Sequence, residues 1–184
     1  MARLLRRLIA WQLALRFRNR LKIGMMPGVQ LISESLFDAV TGKASESSRR
    51  RLNYNFHSGP ADNPHRFLNV MLRGTYIQPH RHLSPPKSET FLVLEGAADV
   101  ILFDEQGNIT ARHRLGGASQ QGRIWGIDLP PGVWHTIVAR TERVICFEVK
   151  PGPWDPSTDK EFAPWAPAES DGAVAAYLQS LIGS

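Results

Sequence analysis

From Leu52 to Lys150 the chain is written in short runs whose apolar residues fall at every second position, and Gly, Pro, Asn or Asp separates one run from the next. Side chains of an extended strand alternate between faces, so a period of two marks a strand with one buried face, whereas a helix repeats about every 3.6 residues. The runs are 52–57, 66–73, 74–82, 89–95, 98–103, 109–114, 123–129, 133–139 and 143–150. Many short strands with no helical pattern between them predict an all-β sandwich or barrel and exclude alternating β/α units. Asp104-Glu-Gln-Gly107 reads as a hairpin turn between two of the runs. No self-similarity at solenoid periods is present.

The 184 residues suffice for one core of this kind and leave a second full domain cramped. The barrel is expected over residues 50–150, inside a domain of residues 25–184. Ser33 to Val40 reads as a short helix, with Ser35 and Asp38 in capping-box spacing and Gly42 past its end, and Lys43 to Arg50 as a loop. Residues 151–167 are rich in Pro and Trp and predict no regular element. Ser170 is then expected to cap a final helix that presents Val174, Tyr177, Leu178 and Leu181 on one face.

Charge is distributed unevenly. Residues 1–22 hold seven Lys and Arg and no acid, so of the overall +5 nothing remains for the other 162 residues, which carry 15 bases against 17 acids. The body therefore lacks the clustered basic face of a nucleic-acid binder. In the basic extension, residues 1–24, Leu4, Leu8, Trp11 and Leu15 make one helical stripe, while from Leu13 to Ile23 the apolar positions alternate. Three readings stay open: a membrane-surface anchor with its arginines near anionic lipid, an element packed on the barrel or on a partner subunit (a homodimer is one such arrangement), and a poorly ordered extension. The apolar run Leu8 to Leu15 covers about half of a bilayer span, and no small-residue cleavage site follows it. A cytoplasmic protein is expected, with peripheral contact at the inner membrane if the anchor reading holds. The single cysteine, Cys146, excludes an internal disulfide and sits in a strand-like run, as a buried structural thiol does.

The chemistry concentrates in two segments. In Gly74-Thr-Tyr-Ile-Gln-Pro-His80-Arg-His82-Leu-Ser-Pro-Pro-Lys-Ser-Glu89, two histidines two apart on a strand point to the same side. Pro85-Pro86 turns the chain and Glu89 opens the next strand. In Pro130-Pro-Gly132-Val-Trp-His135, a turn delivers a third imidazole to another strand. An H-x-H pair alone is weak. Followed by a glutamate and a later Pro-x-Gly-x-x-His, it predicts one divalent transition metal, Fe, Zn, Mn, Ni or Co, on a mixed set of three nitrogens and one carboxylate, with one or two positions open.

These segments resemble the cupin family. Gly74, His80, His82, Glu89 and Gly96 match its first motif, G-x5-H-x-H followed by E-x6-G, and Pro130, Gly132 and His135 match its second, P-x-G-x-x-H. Six residues separate His82 from Glu89, where the family usually has fewer, and Ala139 stands where an Asn is frequent. The resemblance implies a double-stranded β-helix, the jelly-roll barrel, with short N- and C-terminal helices added here. A narrower likeness, over about residues 30–168, rests on Arg51-Leu-Asn-Tyr-Asn-Phe-His57, on the paired-histidine segment, and on Glu148-Val-Lys-Pro-Gly-Pro-Trp154 through Phe162-Ala-Pro-Trp-Ala-Pro-Ala-Glu169. It is to the WbuC-type cupin metalloproteins, a group associated with lipopolysaccharide O-antigen gene clusters. It implies a metal, a fold and a pathway more than a reaction.

Other residues are weighed by strand parity. Tyr76 and Gln78 share parity with the paired histidines and are expected to face the pocket, Tyr76 as the one candidate acid or base and Gln78 as a ligand contact. Asn53, Asn55 and His57 share a face that either lines the pocket, where they would suit a polyhydroxylated ligand, or meets solvent. Lys87 either meets a phosphate or is a solvated loop lysine, and Lys150 and Arg51 pose the same choice. Trp154 and Trp165 are expected to pack the C-terminal segment onto the barrel. Two function classes follow. One is an enzyme acting on a sugar or nucleotide-sugar precursor, as an isomerase or epimerase that polarises a carbonyl or, with iron, as an oxygenase. The other is a non-catalytic, metal-dependent binding or regulatory module. The fold hosts both.

Overall fold

The computed structural model describes residues 28–117 and 124–183. The chain divides into two compact units, Met1–Leu31 and Ile32–Ser184, and every element named below belongs to the second. The anchor, packed-element and extension readings of residues 1–24 lie outside the described residues.

Among the described residues, ten strands form two five-stranded antiparallel sheets. The first has the order β1 (Arg51–Asn55), β2 (His65–Leu72), β9 (Arg143–Lys150), β4 (Glu89–Glu95), β7 (Gly126–Leu129). The second runs β10 (Glu161–Phe162), β3 (His80–Arg81), β8 (Trp134–Ala139), β5 (Ala97–Phe103), β6 (Ile109–Gly116). The pairs β2–β9, β3–β8, β4–β7 and β5–β6 nest like one long hairpin whose tip is the turn after Phe103. Along each arm of this hairpin, β2 to β5 and β6 to β9, successive strands fall alternately in the two sheets, so the hairpin is rolled up, and the result is the cupin-type double-stranded β-helix expected from the alternating runs. At the tip, Asp104 accepts hydrogen bonds from the backbone of Gln106 and Asn108, and Gly107 takes the left-handed φ that closes the turn.

Between the sheets, Met71, Ile77, Phe91, Val93, Val100, Ile137, Val144 and Cys146 fill one end of the barrel. The thiol of Cys146 is buried there and its pKa is pushed up by that burial, as a structural cysteine requires. The outer faces are covered as well. Helix α1 (Glu34–Glu46) lays Val40 and Ala44 on Leu68, Val70 and Ile145 of the first sheet. Helix α2 (Val174–Gly183) lays Leu178 and Leu181 on Ile101, Phe103 and Val138 of the second. With both faces covered, β2 is buried almost throughout, and only its alternation of inward Phe67, Asn69 and Met71 with outward Leu68 and Val70 preserves the period of two.

Four details differ from the sequence-based expectation. Helix α1 continues through Gly42 to Glu46, and its cap is Ser33, whose hydroxyl accepts from Leu36 N. A mid-helix glycine costs about 1 kcal/mol, and the fully buried Ala44 two residues on offsets it. At the start of α2 the capping oxygen is that of Asp171, which accepts from Ala173 N, rather than that of Ser170. The expected strand 74–82 shrinks to the two residues of β3. The irregular C-terminal segment contributes a strand of its own, β10, which pairs Phe162 with His80 and Glu161 with Arg81. None of the helices among the described residues is long and apolar enough to cross a membrane.

Candidate metal centre

His80 on β3 and His135 on β8 are register partners in the second sheet, His82 follows one residue after β3, and Glu89 opens β4 in the first sheet. The four side chains meet between the sheets. All are buried, and their ligand atoms lie within 4.8 Å of one another. The two sequence segments also hold each other. The N–H of Gly132, at a φ of +83° that suits glycine, donates to the carbonyl of His82 at 3.1 Å, so the Pro-x-Gly turn fixes the end of the H-x-H strand.

Each imidazole is oriented by a backbone carbonyl. Nδ1–H of His80 donates to Gln78 O at 2.9 Å, that of His135 to Val133 O at 2.9 Å, and that of His82 to Asp159 O. A ring that donates from Nδ1 presents the lone pair of Nε2, which is the arrangement metal-bound histidines adopt. The carboxylate Oε2 of Glu89 lies 3.1 Å from His135 Nε2 and 3.4 Å from His82 Nε2. Metal–nitrogen and metal–oxygen bonds of about 2.0–2.2 Å place neighbouring donors roughly 3 Å apart. The buried Nε2 of His82 has no hydrogen-bond partner among the described residues. Such an atom is costly unless something occupies it, and a divalent cation among the four donors would satisfy it. The donor set fits a transition metal.

Protonation is tuned the same way. Burial, reinforced by the positive charge of Lys160, holds His80 well below the ordinary histidine value, in the neutral form that coordinates. Burial alone would raise the Glu89 carboxyl, but its polar contacts with Glu148, His135 and His82 and the ammonium of Lys150 outweigh that and hold it well below the usual range. Glu148 moves the opposite way: burial, then the charge of Glu89 beside it, push it well above the usual range. Of the two neighbouring carboxyls, Glu89 is therefore the more acidic and Glu148 the more basic. Asn69 Nδ2 donates to Glu148 Oε2 at 3.1 Å.

The long loop between His82 and Glu89 is anchored by a residue that would ordinarily be solvated. Lys87 is 4% exposed; its ammonium donates to Pro153 O at 2.6 Å and to Asp159 Oδ1 at 2.9 Å. Asp159 is itself 3% exposed and takes Lys150 on its other oxygen at 2.8 Å. One aspartate thus holds two lysines through its carboxylate and His82 through its carbonyl.

The centre opens into a cavity of about 460 Å³ whose wall includes Asn53, Asn69, Glu148, Trp154, Lys160 and Phe162. A second cavity of about 390 Å³, lined by Asn55, His57 and His65, shares Asn53, Phe67, Lys150 and Trp154 with the first. Asn53, Asn55 and His57 accordingly lie on cavity walls. Tyr76, Gln78 and Lys87 do not line either cavity. Tyr76 packs against Tyr177, donates its hydroxyl to Pro167 O at 2.8 Å, and is pushed up in pKa by burial. Gln78 reaches toward the carbonyls of Ala163 and Ala166. Parity with the histidines failed for both because residues 75–79 are not a strand, so alternation does not carry through them. Lys87 is committed to Asp159 and Pro153. Asn69, Glu148, Asp159 and Lys160 were not singled out from the sequence. Of these, Asn69 and Glu148 left a trace there, since Asn69 shares parity with inward Phe67 and Met71 on β2 and Glu148 with inward Cys146 on β9.

A family model described as "Domain of unknown function (DUF6016)" matches residues 32–115, a stretch that carries His80, His82 and Glu89 but not His135. No curated protein matches the chain. Among solved structures it is similar to the capsular polysaccharide assembling protein CapF from Staphylococcus aureus, with 20% identity over 61% of this chain and 34% of that one and a TM-score of 0.48. It is similar to protein SO0799 from Shewanella oneidensis, at 10% identity over 63% of this chain and 75% of that one with a TM-score of 0.48. It is also similar to NovW, a 4-keto-6-deoxy sugar epimerase from the novobiocin biosynthetic gene cluster of Streptomyces spheroides, at 19% identity over 53% and 49% with a TM-score of 0.44. The chain spans about a third of the length of CapF.

Proposed function

We propose that this chain is a metal-dependent cupin that acts on a sugar or nucleotide-sugar precursor of a surface polysaccharide, the O-antigen being the pathway its WbuC-type resemblance implies. One observation carries the metal: three buried imidazoles, each locked through Nδ1–H to a carbonyl, turn Nε2 toward one ionised carboxylate in a cavity. The sugar rests on that resemblance and on the amides of Asn53 and Asn55 on the cavity walls, groups that can both donate to and accept from hydroxyls. A divalent metal bound here supplies a Lewis acid that polarises a carbonyl or hydroxyl oxygen. The chain supplies the rest. Glu148 holds a proton beside the ligand carboxylate, and with Tyr76 turned away it is the group placed to give or take one at the metal. Asn69 holds Glu148 in position, and Trp154 and Phe162 flank the opening.

The test is elemental analysis of the purified chain together with turnover of a nucleotide-sugar panel by the metal-restored protein. One metal per chain that falls toward zero in His82→Ala, with the β-rich circular dichroism retained, is the expected result. Full stoichiometry in His82→Ala sinks the site. Saturable binding without turnover of any member would favour the binding-module reading over the enzyme.

A further inference from the structure

We propose that the cavity takes an anionic ligand, a carboxylate or phosphate ester, whose charged group pairs with Lys160 while a hydroxyl of the same ligand donates to Asn69 Oδ1. The inference rests on the cavity beside the metal being the ligand site.

Charge is the first reason. Among the described residues, every cation on or next to this cavity wall except one is committed. Arg49 and Arg51 both bind the carboxylate of Glu169, and Lys87 and Lys150 both bind that of Asp159. Lys160 lines the cavity and, among the described residues, makes no hydrogen bond or ion pair. Among the described residues the wall itself carries four cations against four carboxylates, Glu89, Glu148, Asp159 and Glu169, with Lys87 sharing Asp159 from outside it, and a divalent metal would add two more positive charges. A neutral ligand leaves that excess uncompensated in a half-enclosed space where Coulomb energies are large. An anion removes it.

Position is the second. Lys160 immediately precedes β10, whose Phe162 is the register partner of His80, so its chain position is tied to the metal centre by strand pairing. Lys160 lines the same cavity as His80, Glu89 and His135, so a ligand held by Lys160 has its charged group in the space onto which the metal centre opens.

The third reason is an acceptor without a donor. Asn69 is 9% exposed, its Nδ2 is used by Glu148, and its Oδ1 has no partner among the described residues. The residue lines the same cavity, and a buried amide oxygen left unpaired asks for a donor from whatever fills the space. Lys160 gives hydrogen bonds and Asn69 Oδ1 takes one, so the fitting ligand carries both an anionic group and a hydroxyl. The adjoining cavity beyond Trp154, bounded by the stacked rings of His57 and His65 with centroids 4.0 Å apart, leaves room for the remainder of a larger molecule.

Three probes that share one carbon skeleton separate the terms: glucose, gluconate and glucose 6-phosphate, titrated calorimetrically into the full metal-loaded chain. At least one of the two anions should bind about tenfold or more tightly than glucose, and the preferred one tells carboxylate from phosphate ester. Lys160→Met should erase that preference, Lys160→Arg should keep most of it, and neither should change the metal content. Asn69→Leu should weaken all three probes alike. Glucose binding as tightly as both anions, no anion binding below about 10 mM, or anion affinity unchanged in Lys160→Met would each overturn the inference. The metal reading fails separately, by elemental analysis, and an anion preference that survives in the metal-free chain would leave Lys160 standing without it.

Discussion

The wall behind the centre hangs on Asp159, and Asp159→Asn is the substitution that tests it most sharply. The side chain keeps its shape and its backbone carbonyl still accepts from His82, so only the negative charge is lost. Lys87 and Lys150, both nearly fully buried, then face an amide instead of a carboxylate. Removing one partner of a buried pair costs about 3–5 kcal/mol. The cost is capped, because a lysine whose ordinary value is near 10.4 can shed its proton at pH 7 for about 4–5 kcal/mol. Against a total stability of roughly 5–15 kcal/mol, this should lower the melting temperature by about 6–20 °C. The cap also sets a pH signature. In the native chain Asp159 is depressed, despite its burial, by Lys150 and Lys87, so its contribution is complete above the unfolded value near 3.9 and is lost only as pH falls through the lower folded value. Lys150 is raised by Glu89, Glu148 and Asp159 against its burial, so its contribution is complete below about 10.4 and lost above the folded value. Between those limits the native cluster is flat in pH. The variant is not: at pH 9.5 neutralising a lysine costs only about 1–2 kcal/mol, and the deficit should shrink to that. Urea unfolding of both chains, metal-free, at pH 7 and pH 9.5 measures it. A deficit under about 1 kcal/mol at pH 7, or one that does not shrink at pH 9.5, would refute the reasoning that this cluster is buried and interdependent.

Two further outcomes are expected. Gly96 sits at φ +78°, and an added Cβ would overlap the carbonyl of Arg143, so Gly96→Ala should cost roughly 2–4 kcal/mol in urea unfolding, while Gly42→Ala in α1, with open space around it, should be neutral or stabilising. Because burial depresses His80, the unfolded chain binds a proton there before the folded one does; metal-free stability should therefore fall as pH drops below about 6.5, and His80→Gln should flatten part of that slope.

Most of the barrel was legible in the sequence because its code is local. A period of two survives wherever a strand has one face inward, and eight of the nine expected runs overlap strands within a few residues. The four donors were legible because their spacing repeats a known motif. Two kinds of feature were not. Residues 75–79 continue the alternating pattern while leaving the sheet, so Tyr76 and Gln78 carried a parity that no pleat enforces. The segment after Pro151 has no period at all, yet it provides Asp159 and Lys160. What holds it are polar contacts spanning 72 residues to Lys87 and 77 to His82, and such pairings leave no trace in neighbouring residues.

That division bears on how the centre works. The strands fix where the imidazoles stand, but two of the groups that set their chemistry, the carbonyl that orients His82 and the ammonium that depresses His80, come from the irregular segment folded across the mouth. Strand β10 is only two residues long and both are exposed; the segment is attached on either side of it, by Asp159 buried between two lysines and by Ala163 and Ala166 buried on the second sheet. The four donors stand on or beside barrel strands, whereas His82 takes the acceptor that selects its tautomer, and His80 its nearby charge, from that segment. On the proposed function, the segment would tune metal affinity and ligand selectivity, while the barrel places the four donors.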